Sequence, residues 1–143
     1  MWILLLIIVI FLLLQTIHEP PQLKEVKRRY KILREYVKKT PDVPKKFKVI
    51  QYPILISGFK KPNGNEIGYN INKGGEIGIC LKGTANQSFH VLIHELAHST
   101  VNEYSHSKKF WDNFKELCDL CEKIGIYDPV DKNVKFCGRY IRE

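Results

Sequence analysis

The chain has 143 residues, which suffices for one compact domain and not two. It carries 23 Lys and Arg against 15 Asp and Glu, a formal net charge of +8, with lysine the dominant basic residue. A surface that basic suits anionic lipid, nucleic acid or acidic protein partners, or simply a solvated lysine-rich face. No Lys/Arg-rich block with interleaved aromatics singles out a nucleic-acid groove, and no repeat is present.

Residues 1 to 14 read MWILLLIIVIFLLL, and Ile17 extends the run with no charge before His18. As a helix, residues 1–17 are about 25 Å long, close to a hydrocarbon core of about 30 Å if the bilayer thins locally. The run lacks a basic start and a small-residue cleavage site, which favours an uncleaved transmembrane anchor over a signal peptide. Lys24, Lys27, Arg28, Arg29, Lys31 and Arg34 follow it, so the positive-inside rule places the rest of the chain in the cytoplasm. The expected organisation is thus a single-pass membrane protein, with an anchor over 1–17 contacting lipid and one monomeric domain over 18–143.

Gln22 to Thr40 has the pattern of an amphipathic helix: Leu23, Val26, Tyr30, Leu33 and Val37 keep helical spacing, and Pro41 and Pro44 end it. Phe47 to Ile56 has the β-branched and aromatic content of a strand, interrupted at Pro53. Lys61-Pro62-Asn63-Gly64-Asn65 is a turn signal. Glu66 to Asn72 and Glu76 to Leu81 are two strands joined by Asn72-Lys73-Gly74-Gly75, a hairpin.

After Gly83, Thr84-Ala85-Asn86-Gln87 has the form of a capping box. Phe89, Leu92, Ile93, Leu96 and Ala97 then recur at spacings of three and four, and no Gly or Pro interrupts residues 84 to 105. On this helix lies His94-Glu95-Leu96-Ala97-His98, an H-E-x-x-H motif. Residues i and i+4 share a helix face, so both imidazoles can hold one zinc ion, with Glu95 in reach of water as a general base. A catalytic zinc usually takes three protein ligands, and His106, eight residues after His98, is the candidate third. His90, one turn before His94, has a surface or supporting role rather than a ligand role. Tyr104 is expected to pack rather than to bond a developing oxyanion.

The block His106-Ser107-Lys108-Lys109-Phe110-Trp111 completes a pattern of H-E-x-x-H, third histidine, then an apolar-aromatic helix. In this the sequence resembles the minimal zinc metallopeptidases of the SprT/WLM type. The resemblance is specific over residues 84 to 120. The seven-residue connector between His98 and His106 contains no glycine, so Asn102 or Ser105 must turn the chain, and Glu103 stays open as an alternative ligand. Ser107 is a plausible N-cap for the next helix, whose apolar side is Phe110, Trp111, Phe114, Leu117, Cys118, Cys121 and Ile124, with Gly125 placed to end it. A short extended stretch follows at Val134 to Cys137.

Cys118 and Cys121 form C-x-x-C inside the helical pattern, while Cys80 and Cys137 are isolated. In a cytoplasmic domain free buried thiols are the expectation, and a second metal site lacks a second cysteine pair.

The fold class is α+β. The resemblance implies a small zincin-like domain: N-terminal helix, three-stranded sheet, metal helix, packing helix. It also implies a sheet edge that takes substrate as an added strand, here assigned to Ile77 to Leu81, with Gly78 letting a substrate backbone approach. The functional reading is a membrane-anchored zinc-dependent metallopeptidase acting on a protein or peptide, with Zn2+ on His94, His98 and His106 and with Glu95 as base. The alternatives are a zinc-stabilised, non-catalytic binding module, or a basic membrane structural or adaptor protein contacting lipid or nucleic acid.

Overall fold

The computed structural model describes residues 1–60 and 66–141. The turn expected at 61–65 lies outside them. In chain order the elements are helix α1 (Trp2–Ile17), helix α2 (Pro21–Lys39), a 3-10 helix (Lys45–Gln51), strands β1 (Leu55–Phe59), β2 (Gly68–Ile71) and β3 (Glu76–Cys80), helices α3 (Ala85–His98) and α4 (Lys108–Lys123), and strands β4 (Lys135–Phe136) and β5 (Arg139–Tyr140). The expected α+β class with a three-stranded sheet holds.

The membrane span does not. Helix α1 has 16 residues, about 24 Å of helix against a core of about 30 Å. Among the described residues no helix is long and apolar enough to cross a membrane, which overturns the anchor over 1–17 and the single-pass location with a cytoplasmic domain. Continuous hydropathy suggested the span, but the helix it forms has only 16 residues.

Helix α2 forms as its spacing dictates, and Leu23, Val26, Tyr30, Leu33 and Val37 are its buried residues. Its C-cap is Thr40, just before Pro41. The segment expected to start a strand at Phe47 is instead a 3-10 helix from Lys45 to Gln51, and β1 begins only at Leu55. Phe47 and Ile50 are the buried pair in it. Residues i and i+3 eclipse in a 3-10 helix, so both fall on one side.

The sheet order is β1-β3-β2, with β1 parallel and β2 antiparallel to β3. This corrects the expected edge strand: Ile77 to Leu81 runs through the centre of the sheet, and β2 is the edge beside the metal helix. It also changes the meaning of Gly78. Gly78 pairs with Tyr69, whose ring lies across it; a Cβ there would sit 2.2 Å from that ring. Tyr69 thereby reaches β1, with its hydroxyl 3.4 Å from Ser57 Oγ and its ring stacked at 6.0 Å on Phe59. The glycine makes room for a tyrosine of its own sheet, not for a substrate.

Helix α3 packs on α2, α4, β2 and β3 at once. Its capping box is present in both directions: Gln87 N donates to Thr84 Oγ1 at 3.1 Å, and Thr84 N donates to Gln87 Oε1 at 2.9 Å. Helix α4 starts at the Ser107 cap, buries Phe110, Phe114, Leu117 and Cys121, and gives way to Gly125 at a φ of +82°.

A second correction concerns the cysteines. Cys121 is a buried thiol and Cys118 a half-buried one, but Cys80 and Cys137, expected as thiols too, form a disulfide with Cα atoms 6.5 Å apart. The two are 57 residues apart in sequence, so only the fold brings them together. The bond ties the end of β3 to the turn of the β4–β5 hairpin. Phe136, fully buried, anchors the same hairpin against Gly83, where a Cβ would lie 2.4 Å from the phenyl ring.

Gly78→Ala should destabilise the domain by about 1–3 kcal/mol, because Tyr69 must leave its place. Combined with Tyr69→Ala, the same substitution should cost much less. Thermal unfolding of the two single variants and the double variant measures this coupling, and strictly additive losses would contradict the packing described.

Candidate metal centre

From Ser88 to Ala97 every residue of α3 is buried except His94, and His98 closes the helix half-buried. The helix is therefore open to a cleft on one side only. His94 and His98 stand one turn apart on that side, with ring centroids 5.3 Å apart. The chain then leaves the helix, turns through residues 99–105, and returns at His106. His106 Nε2 lies 3.2 Å from His94 Nε2 and 3.2 Å from His98 Nε2.

That spacing tests the fit to a metal. A tetrahedral zinc with bonds of about 2.0–2.1 Å separates its ligand nitrogens by about 3.3 Å. Among the described residues, His94, His98 and His106 form the group able to hold an ion, and these residues fit zinc. Glu103, the alternative ligand, is not in that group. Its carboxylate accepts a hydrogen bond from Ser107 Oγ at 2.6 Å, which also keeps its pKa below the ordinary carboxylate value.

The aromatic block after His106 now has a physical role. Phe110 is fully buried, with its ring 5.0 Å from His94, 4.4 Å from His98 and 4.9 Å from His106, so one side chain wedges all three imidazoles. Trp111 packs on His94 and His106 at 5.7 and 5.4 Å. Packing of this kind restricts the rotamers on which a preformed site depends.

Burial sets the protonation states. His94 is pushed down to about 3 by burial first, then by its neighbours His98, His106 and His90. His98 is pushed down to about 4 by burial, then by His106 and Lys73. Both are neutral near pH 7, the form that binds metal. The same burial moves Glu95 the other way, up to about 8, with the Glu66 charge adding to it. A divalent cation at the histidines would favour its ionised form.

The cleft has a volume of about 540 Å³. Its lining includes Glu66, Gly68 and Asn70 from the β2 region, the three histidines and Glu95, and Arg139, Tyr140 and Ile141 from the C-terminal segment. Gly68 is a residue that sequence reasoning missed. A Cβ at Gly68 would sit 2.5 Å from Val91 and 3.0 Å from Glu95 Oε1, so this glycine leaves room for the carboxylate. An isolated glycine at a strand start was the available signal, and it was read at Gly78 instead. Asn70 was also missed; its Nδ2 donates to the Glu95 carbonyl at 2.8 Å. His90 is buried and lies outside the three-histidine group: its Nδ1 is 2.6 Å from the Tyr127 hydroxyl and its ring meets Phe114 edge-on. Tyr104 is exposed at the cleft mouth.

Residues 25–140 match the WLM domain family. The chain belongs to the WLM family. The likeness read from the H-E-x-x-H and F-W blocks is thereby borne out, and it brings an association with metallopeptidase-like function. Among curated proteins, this WLM chain is 37% identical over 76 residues to "Uncharacterized protein 136R" of Invertebrate iridescent virus 6, covering 47% of this chain and 42% of that one. It is 29% identical over 92 residues to "Uncharacterized protein R325" of Acanthamoeba polyphaga mimivirus, covering 57% and 47%. The matches thus span less than half the length of those relatives. No solved structure matches.

In the metal-free chain Glu95 holds its proton more tightly folded than unfolded. Its contribution to stability is whole below about pH 4.5 and is lost as pH rises towards about 8. His94 and His98 act in the opposite sense, so their contribution is lost as pH falls from about 6.5 towards 4 and 3. Glu95→Gln should therefore raise the Tm of the metal-free chain at pH 8 and leave it unchanged at pH 4. Calorimetry at the two pH values checks this, and an equal shift at both would show that Glu95 is not held protonated by its surroundings.

Proposed function

We propose that this WLM chain is a zinc-dependent peptidase in which His94, His98 and His106 hold the ion and Glu95 is the general base. The observation that carries the reading is the convergence of three imidazoles beside a buried carboxylate in the lining of one cleft. His94, His98 and His106 would hold the zinc, which when bound would supply Lewis acidity towards a water molecule and a carbonyl oxygen. Glu95 takes the proton of the attacking water as the new C–O bond forms. It then delivers that proton to the amine nitrogen as the C–N bond breaks. Burial raises the proton affinity of Glu95 and a cation at the histidines would lower it, and the two effects together suit a group that takes up a proton and releases it again.

The substrate is a protein or peptide in extended form. Strand β2 is the sheet edge that lines the cleft, and it takes the role first expected of Ile77 to Leu81. Gly68 and Asn70 stand on that strand beside Glu95, so a backbone paired to β2 would pass over the reacting centre. A purely structural zinc site has no use for a buried carboxylate in this position, which sets the non-catalytic reading behind the peptidase.

Glu95→Gln should keep zinc at wild-type occupancy and lower cleavage of an unfolded protein substrate by about 10²–10⁴-fold. His94→Ala should lose both zinc and cleavage, and a chelator should abolish the activity reversibly. Metal analysis beside the cleavage assay separates the cases. Unchanged turnover in the Glu95 variant would sink the mechanism.

A further inference from the structure

We infer that Lys73 is a positioning residue that shapes the glycine-free connector and thereby sets His106 in metal-binding geometry. The inference rests on the zinc reading above and deepens it, because it says what replaces a glycine turn between the second and third ligands.

Lys73 lies in the β2–β3 turn with a φ of +48°, next to Asn72 at +56°. Glycine and asparagine visit that region readily, and lysine does so rarely. A lysine held there where glycine would be easier points to a use for the side chain. That side chain reaches across to the connector. Nζ donates to the Val101 carbonyl at 2.5 Å and to the Glu103 carbonyl at 2.6 Å, and it lies 4.6 Å from the centre of the Tyr104 ring. An ammonium has three donors and no acceptor. Here it gathers two carbonyls and a ring face from consecutive parts of one loop, and so bends that loop around itself.

The hairpin that carries Lys73 is fixed in turn to the metal helix. Asn70 Nδ2 donates to the Glu95 carbonyl at 2.8 Å, and Asn70 Oδ1 accepts from Gly74 N at 2.8 Å. Ser99 Oγ donates to the Lys73 carbonyl at 3.4 Å. Beyond the clamp, the Glu103 carboxylate takes the Ser107 hydroxyl, which also caps α4. His106 is therefore bracketed between Glu103, whose carbonyl Lys73 holds, and Ser107, which α4 holds.

The test is zinc affinity of the full chain, read by competition with a chromophoric chelator. It compares the natural sequence, Lys73→Gly, Lys73→Met, His106→Ala, and each Lys73 variant combined with His106→Ala. Lys73→Gly removes the side chain at a φ that glycine accepts; Lys73→Met keeps the aliphatic stem and removes the donors. Both should weaken zinc about 10–100-fold when His106 is present, as loss of a group that orients a ligand does. Neither should weaken it further once His106 is gone. Lys73 is also a cation near the site, so an effect of charge alone would make zinc bind more tightly on its removal. Tighter binding, unchanged binding, or an equal loss in both backgrounds overturns the inference. In those cases a weakening by His106→Ala alone still leaves the zinc reading standing. If His106→Ala leaves zinc affinity unchanged, the three-histidine reading falls and this inference falls with it.

Discussion

The structure depends on the near-complete burial of α3. A helix packed on a sheet, on α2 and on α4 has little free surface, and whatever chemistry it presents must leave through the gap those neighbours leave. In this chain the gap faces His94 and His98. Burial then has two opposite consequences from one cause. It removes the charged forms of the two imidazoles, which leaves their lone pairs for a metal, and it keeps the proton on Glu95. Of the polar side chains that α3 buries, Ser88 is satisfied by the sheet, its Oγ donating to the Cys80 carbonyl at 2.9 Å, and His90 Nδ1 by the Tyr127 hydroxyl.

What could be read in the sequence was local. The spacing of Leu23, Val26, Tyr30, Leu33 and Val37 gave a helix face, and the structure buries all of it. The Thr84–Gln87 box and the Ser107 cap are contacts within four residues, so their partners are visible in the sequence itself. The Asn72–Gly75 hairpin is similar, although the residues with positive φ are Asn72, Lys73 and Gly74 rather than the glycine pair. The motif placed His94, Glu95 and His98 together because helical periodicity relates them. His106 was found by its place before the next helix.

What could not be read depends on partners far away in the chain. Sheet order is one case: nothing within β1, β2 or β3 says which strand is central, and an edge was assigned to the strand that is in fact buried. The Lys45–Gln51 segment is another. Its apolar residues suit a strand, but Phe47 and Ile50 share one side only in a tight helix, and Pro44 stands at its N-cap with Pro53 just beyond its end. The Cys80–Cys137 bond joins elements that meet only after the C-terminal hairpin has folded back. The apolar N-terminal run gave the opposite error. Its hydropathy is real, yet helix length decides whether a bilayer can be crossed.

His106 shows why local and distant information must meet. Helix α3 stops at His98 and the chain has to reverse with no glycine to ease it. Two sets of contacts make the reversal. On one side Thr100 Oγ1 donates to the Ala97 carbonyl at 2.7 Å and accepts from Asn113 Nδ2 at 2.9 Å, which ties the start of the turn to α4. On the other side Val101 is buried in the core, and its carbonyl faces the β2–β3 hairpin through Lys73. A loop held from both flanks does not need a backbone that is free to take any conformation; its shape is fixed by where its anchors stand. The length of the connector is then a weaker constraint than the positions of Asn113 and the hairpin. Three imidazoles from two segments can converge because the two helices and the hairpin have already fixed the ends of the loop between them.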